Sequence, residues 1–208
     1  MGHIEFWFEF ASTYSYPAAM RIEALADEAG HEIVWKPFLL GPVFNAQQGL
    51  TDSPFNVFPV KGRYMWRDLA RVCARAGLPL EAPAAFPQNG LLAARCTLAL
   101  PEASRAAFVK AVYTANFAEG AAISEPEIVS RCIVAAGENP DAIMARAGDA
   151  TIKAELKANT EEAMRRGVFG SPTFFADDGE MFWGNDRLED AFDWLAAPLQ
   201  IMSIGGTR

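Results

Sequence analysis

Apolar positions in the first forty residues change period twice. Ile4-Glu5-Phe6-Trp7-Phe8-Glu9 alternates loosely between apolar and polar, and its aromatic side chains suit a pleated surface, so a strand is predicted there. Ala18, Ile22, Leu25, Ala26 and Ala29 then recur at helical spacing and stop before Gly30, a residue that ends helices readily. Pro17 falls in or near the first turn of that helix, where a missing N–H matters least. His31 to Lys36 reads as a second strand ending at Pro37, and the long crossover between the strands predicts a parallel pair.

From Leu39 to Asn159 the period is helical. Segments at Tyr64 to Gly77, Gly90 to Leu100, Glu102 to Ala118, Glu125 to Ala136 and Asp141 to Ala147 are separated by turns bearing Pro79, Pro83, Pro87, Pro101, Pro126 and Pro140. A helix around Thr160 to Arg166 leads into Gly167-Val168-Phe169-Gly170-Ser171-Pro172 and the apolar run Thr173 to Ala176. Asp177-Asp178-Gly179 predicts a hairpin turn into Met181 to Trp183, and a helix over Arg187 to Leu195 follows. This order predicts an α/β protein: a four-stranded mixed sheet carrying a large all-helical insertion. Residues 1–38 and 160–208 would form the discontinuous sheet domain, and residues 39–159 the helical insertion.

Charge narrows the function classes. The 208 residues carry 18 basic and 26 acidic side chains, a net charge of −8, with no Lys/Arg block to neutralise a phosphate backbone; nucleic acid is not an expected partner. The apolar runs are too short and interrupted to span a bilayer, and none is framed as a signal peptide, so a soluble, cytoplasmic protein is expected. Cys73, Cys96 and Cys132 are widely spaced and form no C-x-x-C pair, and His3 and His31 lack ligand spacing. Buried free thiols are expected, and no metal site.

The chemistry centres on Ser12-Thr13-Tyr14-Ser15, where the first strand turns into the first helix. Free N–H groups and the positive end of a helix dipole meet at such a turn and favour an anion. Ser12 is either the helix N-cap or a hydrogen-bond donor to that anion.

The stretches "FWFEFASTYSY", "WKPFLLGPVF", "SPFNVFPVKGRYMWRDL", "GVFGSPTFF" and "FWGNDRLED" occur in this order over nearly the whole chain. On these stretches the chain resembles the family of kappa-class glutathione transferases and 2-hydroxychromene-2-carboxylate isomerases, a branch of the thioredoxin-like, DsbA-type fold. "KGRYMWRDL" and "PFLLG" bring it closer to the isomerases. Ser12 and Ser15 stand where thioredoxin-like oxidoreductases have C-x-x-C, which excludes dithiol chemistry. The resemblance implies glutathione as cofactor, with the Ser12 hydroxyl donating to its thiolate. Pro172 resembles the cis-proline of the fold, a trans turn being the other reading, and backbone groups at Val168 would pair with the cysteinyl part of glutathione.

By the same resemblance, Asn185 and Asp186 bind the γ-glutamyl end, and Lys61 reaches the bound peptide or a carboxylate on the second substrate. Asp52 replaces a family Asn and, as an acceptor only, puts one glutathione contact in doubt. Phe44, Asn56, Tyr64 and Arg67 would wall the second-substrate pocket, with Tyr64 and Arg67 sharing a helix face. The implied activity is cis–trans isomerisation of an unsaturated aromatic 2-oxo acid by reversible thiolate addition, in a homodimer, with no strong general base required of the protein. Glutathione transfer or peroxide reduction, and a non-catalytic peptide-binding module, stand as alternatives.

Overall fold

The computed structural model describes residues 2–198; residues 199–208 of the predicted sheet domain lie outside the described residues. Strand β1 (His3–Phe8), helix α1 (Ser15–Ala29) and strand β2 (Glu32–Pro37) form as the periodicity predicts, with β1 and β2 parallel and His3 opposite Glu32. Strands β3 (Thr173–Phe175) and β4 (Met181–Trp183) complete one sheet of order β2-β1-β3-β4, with β3 antiparallel to both β1 and β4. The hairpin between them closes through Ala176 and Glu180, with Gly179 at φ 89° in the conformation that favours glycine. Helix α10 (Leu188–Ala196) packs back against this sheet.

The two faces of β1 carry two cores, as a two-residue period requires. Phe6 and Phe8 point to the larger one, where Phe6 stacks on Phe174 at 5.3 Å between ring centroids and Phe8 meets Trp35 and Tyr113 edge-on. Trp7 points to the other face and packs edge-on against Phe38 and Phe175.

Between β2 and β3 the chain is helical throughout: α2 (Leu40–Gln48), α3 (Pro54–Val57), α4 (Pro59–Ala76), α5 (Leu91–Ala99), α6 (Glu102–Phe117), α7 (Pro126–Ala135), α8 (Pro140–Ala147) and α9 (Ala150–Arg165). Helices α2 and α3 were not expected, and α4 starts earlier than predicted. Each of the three carries proline in its first turn, and Ser53 caps α3 by accepting from the Phe55 N–H. Helix α9 also starts well before Thr160, so the 159/160 boundary falls inside it. Only Ile152, Leu156, Thr160 and Ala163 of α9 are buried, a stripe too narrow to stand out in a polar segment. Cys73, Cys96 and Cys132 are buried free thiols, pushed by burial to about 11, 12 and 11.

Beyond β1, the Glu9 and Phe10 carbonyls leave the sheet ladder and find partners on α6. The Tyr113 hydroxyl donates to Glu9 O at 3.0 Å, and Asn116 Nδ2 donates to Phe10 O at 2.9 Å. Asn116 Oδ1 in turn accepts from Gln88 Nε2 at 2.9 Å, while Gln88 also donates to Ala121 O and accepts from the Ile123 N–H. Every one of these side chains is buried. An Asn116→Leu substitution would leave Phe10 O and a Gln88 donor unpaired, at about 1–3 kcal/mol for each stranded group. The expected result is a lower denaturant midpoint with an unchanged slope. A midpoint equal to wild type would show the network to be dispensable.

Candidate functional site

The turn Ala11–Tyr14 forms the floor of a cavity of roughly 870 Å3. Helix α2 supplies one wall, α3 and α4 a second, residues 86–91 a third, and the Phe169–Pro172 loop with residues 183–186 the fourth. Such a volume falls in the range of pockets that enclose small molecules.

Ser12 lies on this floor and is not the helix N-cap, because Tyr14 holds that position. Its hydroxyl donates to Ser171 O at 2.7 Å and accepts from Ser15 Oγ at 3.0 Å; Ser15 Oγ lies 2.7 Å from Ser171 Oγ, which accepts from the Glu9 N–H at 3.1 Å. Because that N–H must donate, and Ser15 donates to Ser12, the Ser171 hydroxyl proton points to Ser15. Two hydroxyls, Ser171 and Ser15, thus pass their protons in sequence towards Ser12, whose own proton goes on to Ser171 O, and each bond polarises the next. An anion above Ser12 needs only a rotation of its O–H from Ser171 O. This is why two serines three residues apart occupy the turn: Ser15 is wholly buried and strengthens Ser12 as a donor.

Two further groups beside Ser12 lack partners among the described residues. Thr13 Oγ1 is buried without a hydrogen bond, and the Ser171 N–H has no acceptor. Ser171–Pro172 is a cis peptide, the first of the two readings open from the sequence, and Phe86–Pro87 on the facing wall is a second cis peptide.

Of the predicted site residues, Ser12, Phe44, Lys61, Tyr64, Asn185 and Asp186 line the cavity. Asn185 accepts from Arg21 Nε at 3.2 Å, and Arg21 also reaches Asn185 O and Glu189, so α1 fixes the turn that presents Asp186. The Asp186 side chain is 77% exposed and its carboxylate lies 3.5 Å from the Arg187 guanidinium. Lys61 sits 5.7 Å from the Phe55 ring centroid.

Three residues are placed elsewhere. Val168 is fully buried in the Trp7 core; its N–H donates to Ala163 O and its carbonyl accepts from Gln47, so it offers no free backbone group. The free N–H lies at Ser171 instead. Arg67 is exposed away from the cavity, and the arginine that shares a face with Tyr64 is Arg71, whose guanidinium lies 5.6 Å from the ring centroid. Asn56 does not line the cavity but donates to Asp52 and to Phe86 O, bracing two walls. Asp52 is committed to Asn56 and the Ser53 N–H and caps the entry to α3.

Glu9 is a residue that the sequence pattern does not single out. It lines the cavity three residues before Ser12, and its carboxylate oxygen accepts from the Ala11 N–H at 3.0 Å. No cation bonds it. Burial pushes its carboxyl up to about 8 against the smaller opposing effect of that N–H. Asp68, hydrogen-bonded to Arg71 and Tyr14, is by contrast held below the ordinary range.

A model of the DsbA-like thioredoxin domain matches residues 3–195. The chain is 31% identical to a 2-hydroxychromene-2-carboxylate isomerase of Sphingobium xenophagum over 89% of this chain and 94% of that one. It is 26% identical to glutathione S-transferase kappa 2 of Caenorhabditis elegans over 95% and 93% of the two chains. The solved structure of a 2-hydroxychromene-2-carboxylate isomerase superimposes with a TM-score of 0.81 at 32% identity, covering 93% of this chain and 96% of the other.

Glu9 makes stability depend on pH. A carboxyl whose folded pKa lies above its ordinary 4.5 favours the fold while protonated. That contribution is complete below the ordinary value and is lost as pH rises through about 8. Stability measured by denaturant should therefore fall between about pH 5 and about pH 9 in wild type, and fall less in Glu9→Gln, which cannot ionise. Parallel curves would refute the assignment.

Proposed function

The chain belongs to the DsbA-like thioredoxin family and, within it, to the 2-hydroxychromene-2-carboxylate isomerases and their kappa-class relatives, and from this we propose that it is a glutathione-dependent isomerase of a hydroxychromene carboxylate. The product is the ring-opened, unsaturated aromatic 2-oxo acid of altered double-bond geometry. The observation that carries the reading is the relay from Ser171 through Ser15 to the Ser12 hydroxyl, at the floor of a cavity large enough for a tripeptide and an aromatic acid.

The residues present fit glutathione. The buried, unpartnered Thr13 Oγ1 and the free Ser171 N–H flank Ser12, where an extended peptide backbone would pair, and Asn185 and Asp186 stand at one end of the same cavity. When bound, glutathione supplies a thiolate able to add reversibly to a conjugated carbon. Ser12 donates to that sulfur and holds it as the anion; each pKa unit gained corresponds to about 1.4 kcal/mol of preference for the thiolate. Asp186 meets the α-ammonium, with Arg21 holding its turn in place. Lys61 holds a carboxylate at the α4 wall, while Phe44 and Tyr64 enclose the aromatic body.

The chain's kappa-class relative keeps a second reading in view, in which glutathione leaves joined to the electrophile. Product analysis separates the two, because an isomerase returns free glutathione.

We also infer a homodimer working in a reducing cytoplasm. Its support is the apolar group Val57, Phe58 and Val60, exposed by 41%, 53% and 73%, together with the three unpaired thiols. No described helix is long and apolar enough to cross a membrane.

Titration with glutathione should show saturable binding and an ultraviolet thiolate band near neutral pH. Ser12→Ala should abolish the band and lower isomerisation by on the order of 100-fold, and Asp186→Asn should weaken binding about tenfold while leaving the band of the bound form. No binding at about millimolar glutathione, some 4 kcal/mol of affinity, would overturn the proposal.

A further inference from the structure

A double bond held cis within a six-membered ring cannot rotate, so the ring of a hydroxychromene carboxylate must open before its geometry can change. Opening breaks the bond between carbon 2 and the ring oxygen. The departing oxygen needs a proton, and the hydroxyl on carbon 2 must lose one as it becomes the ketone. A thiolate supplies neither. Given the isomerase reading above, on which this inference rests, the site needs a proton carrier separate from Ser12.

Four carboxyl groups line the cavity: Glu9, Asp52, Asp68 and Asp186. Asp52 is taken up by Asn56 and the Ser53 N–H, and Asp68 is ionised beside Arg71 and bonded to Tyr14. Asp186 is exposed at the far end. Among the described residues, Glu9 is the carboxyl on the floor beside Ser12, and the Ala11 N–H is the one donor to it.

We propose that Glu9 is the catalytic acid and base of ring opening. Its O–H gives a proton to the ring oxygen, which leaves with the bonding pair as a phenol. The hydroxyl on carbon 2 gives its proton to the other oxygen of Glu9, and its O–H pair becomes the second bond of the ketone. Glu9 ends as it began, protonated, and no further reactant is consumed.

The surroundings keep Glu9 in the form this requires. Gly90, the residue before α5, comes so close that an added Cβ would fall 3.1 Å from Glu9 Oε1, and from the cis-proline loop Ser171 Oγ accepts from the Glu9 main-chain N–H. The titratable group from α6 is Tyr113, a phenol raised well above its usual value first by burial and then by Glu9 itself, so it too stays neutral. Burial raises the carboxyl to about 8, no cation among the described residues pairs with it, and it stays mostly protonated at neutral pH. Protonation also spares the site a further negative charge beside a thiolate and a carboxylate substrate.

The test compares two substrates: 2-hydroxychromene-2-carboxylate and the cis open-chain 2-oxo acid that lacks the ring-forming hydroxyl. Glu9→Gln should slow the cyclic substrate by on the order of 100-fold and leave the open-chain one within a few fold, with the thiolate band of bound glutathione unchanged. In wild type, without any substitution, the ratio of cyclic to open-chain rate should fall as pH rises through about 8. The infrared band of a protonated carboxylic acid should disappear over the same range and be absent from Glu9→Gln. Equal losses on both substrates, or an undiminished cyclic rate, would overturn the role of Glu9. Loss of glutathione binding in wild type would instead overturn the isomerase reading beneath it.

Discussion

Two hydrogen bonds from one helix hold the loop on which the site is built. Where β1 ends, the Glu9 and Phe10 carbonyls no longer face a neighbouring strand, and buried carbonyls left without donors are costly. Tyr113 and Asn116, three apart on α6 and so on one face, supply the donors. The helical insertion thereby sets the height and tilt of the turn that carries Ser12. The sheet positions the strand, but the insertion positions the chemistry.

Everything near Ser12 follows from that anchoring. The Ser12 N–H returns to Glu9 O, the Glu9 N–H reaches Ser171, and the cis-proline loop closes over the turn. Close approach leaves little room: a Cβ on Gly170 would fall 2.3 Å from Trp183 Nε1, and one on Gly90 would fall 2.9 Å from Phe10 Cβ. Glycine at these two positions is therefore a condition of bringing the two loops and α5 together around the serines.

Much of this was legible in the chain. Alternation and helical spacing give β1, α1 and β2 directly, because each element has one buried face and one wetter one. Helices α2 and α3 escaped because their first turns hold prolines that also read as loop signals, and most of α9 escaped because only a thin stripe of it is buried. Ser12 could be found because a strand-to-helix turn has a chemistry of its own. Val168 could not be assigned correctly without its partners, since Ala163 and Gln47 consume the groups it was expected to offer. Glu9 was least visible of all: in sequence it is the polar position of an alternating strand, and it becomes part of a cavity floor only when residues 86–91 and the Phe169–Pro172 loop close around the turn.

The three cysteines acquire a meaning beside such a site. A protein that handles conjugated electrophiles risks being alkylated by them, and the attacking species would be a thiolate. Cys73, Cys96 and Cys132 are buried and held protonated, so the chain presents no nucleophilic sulfur of its own. Under the proposed glutathione chemistry, reactivity would be confined to a thiol that arrives from outside and leaves again, and damage to it would be repaired by exchange rather than by synthesis of a new protein.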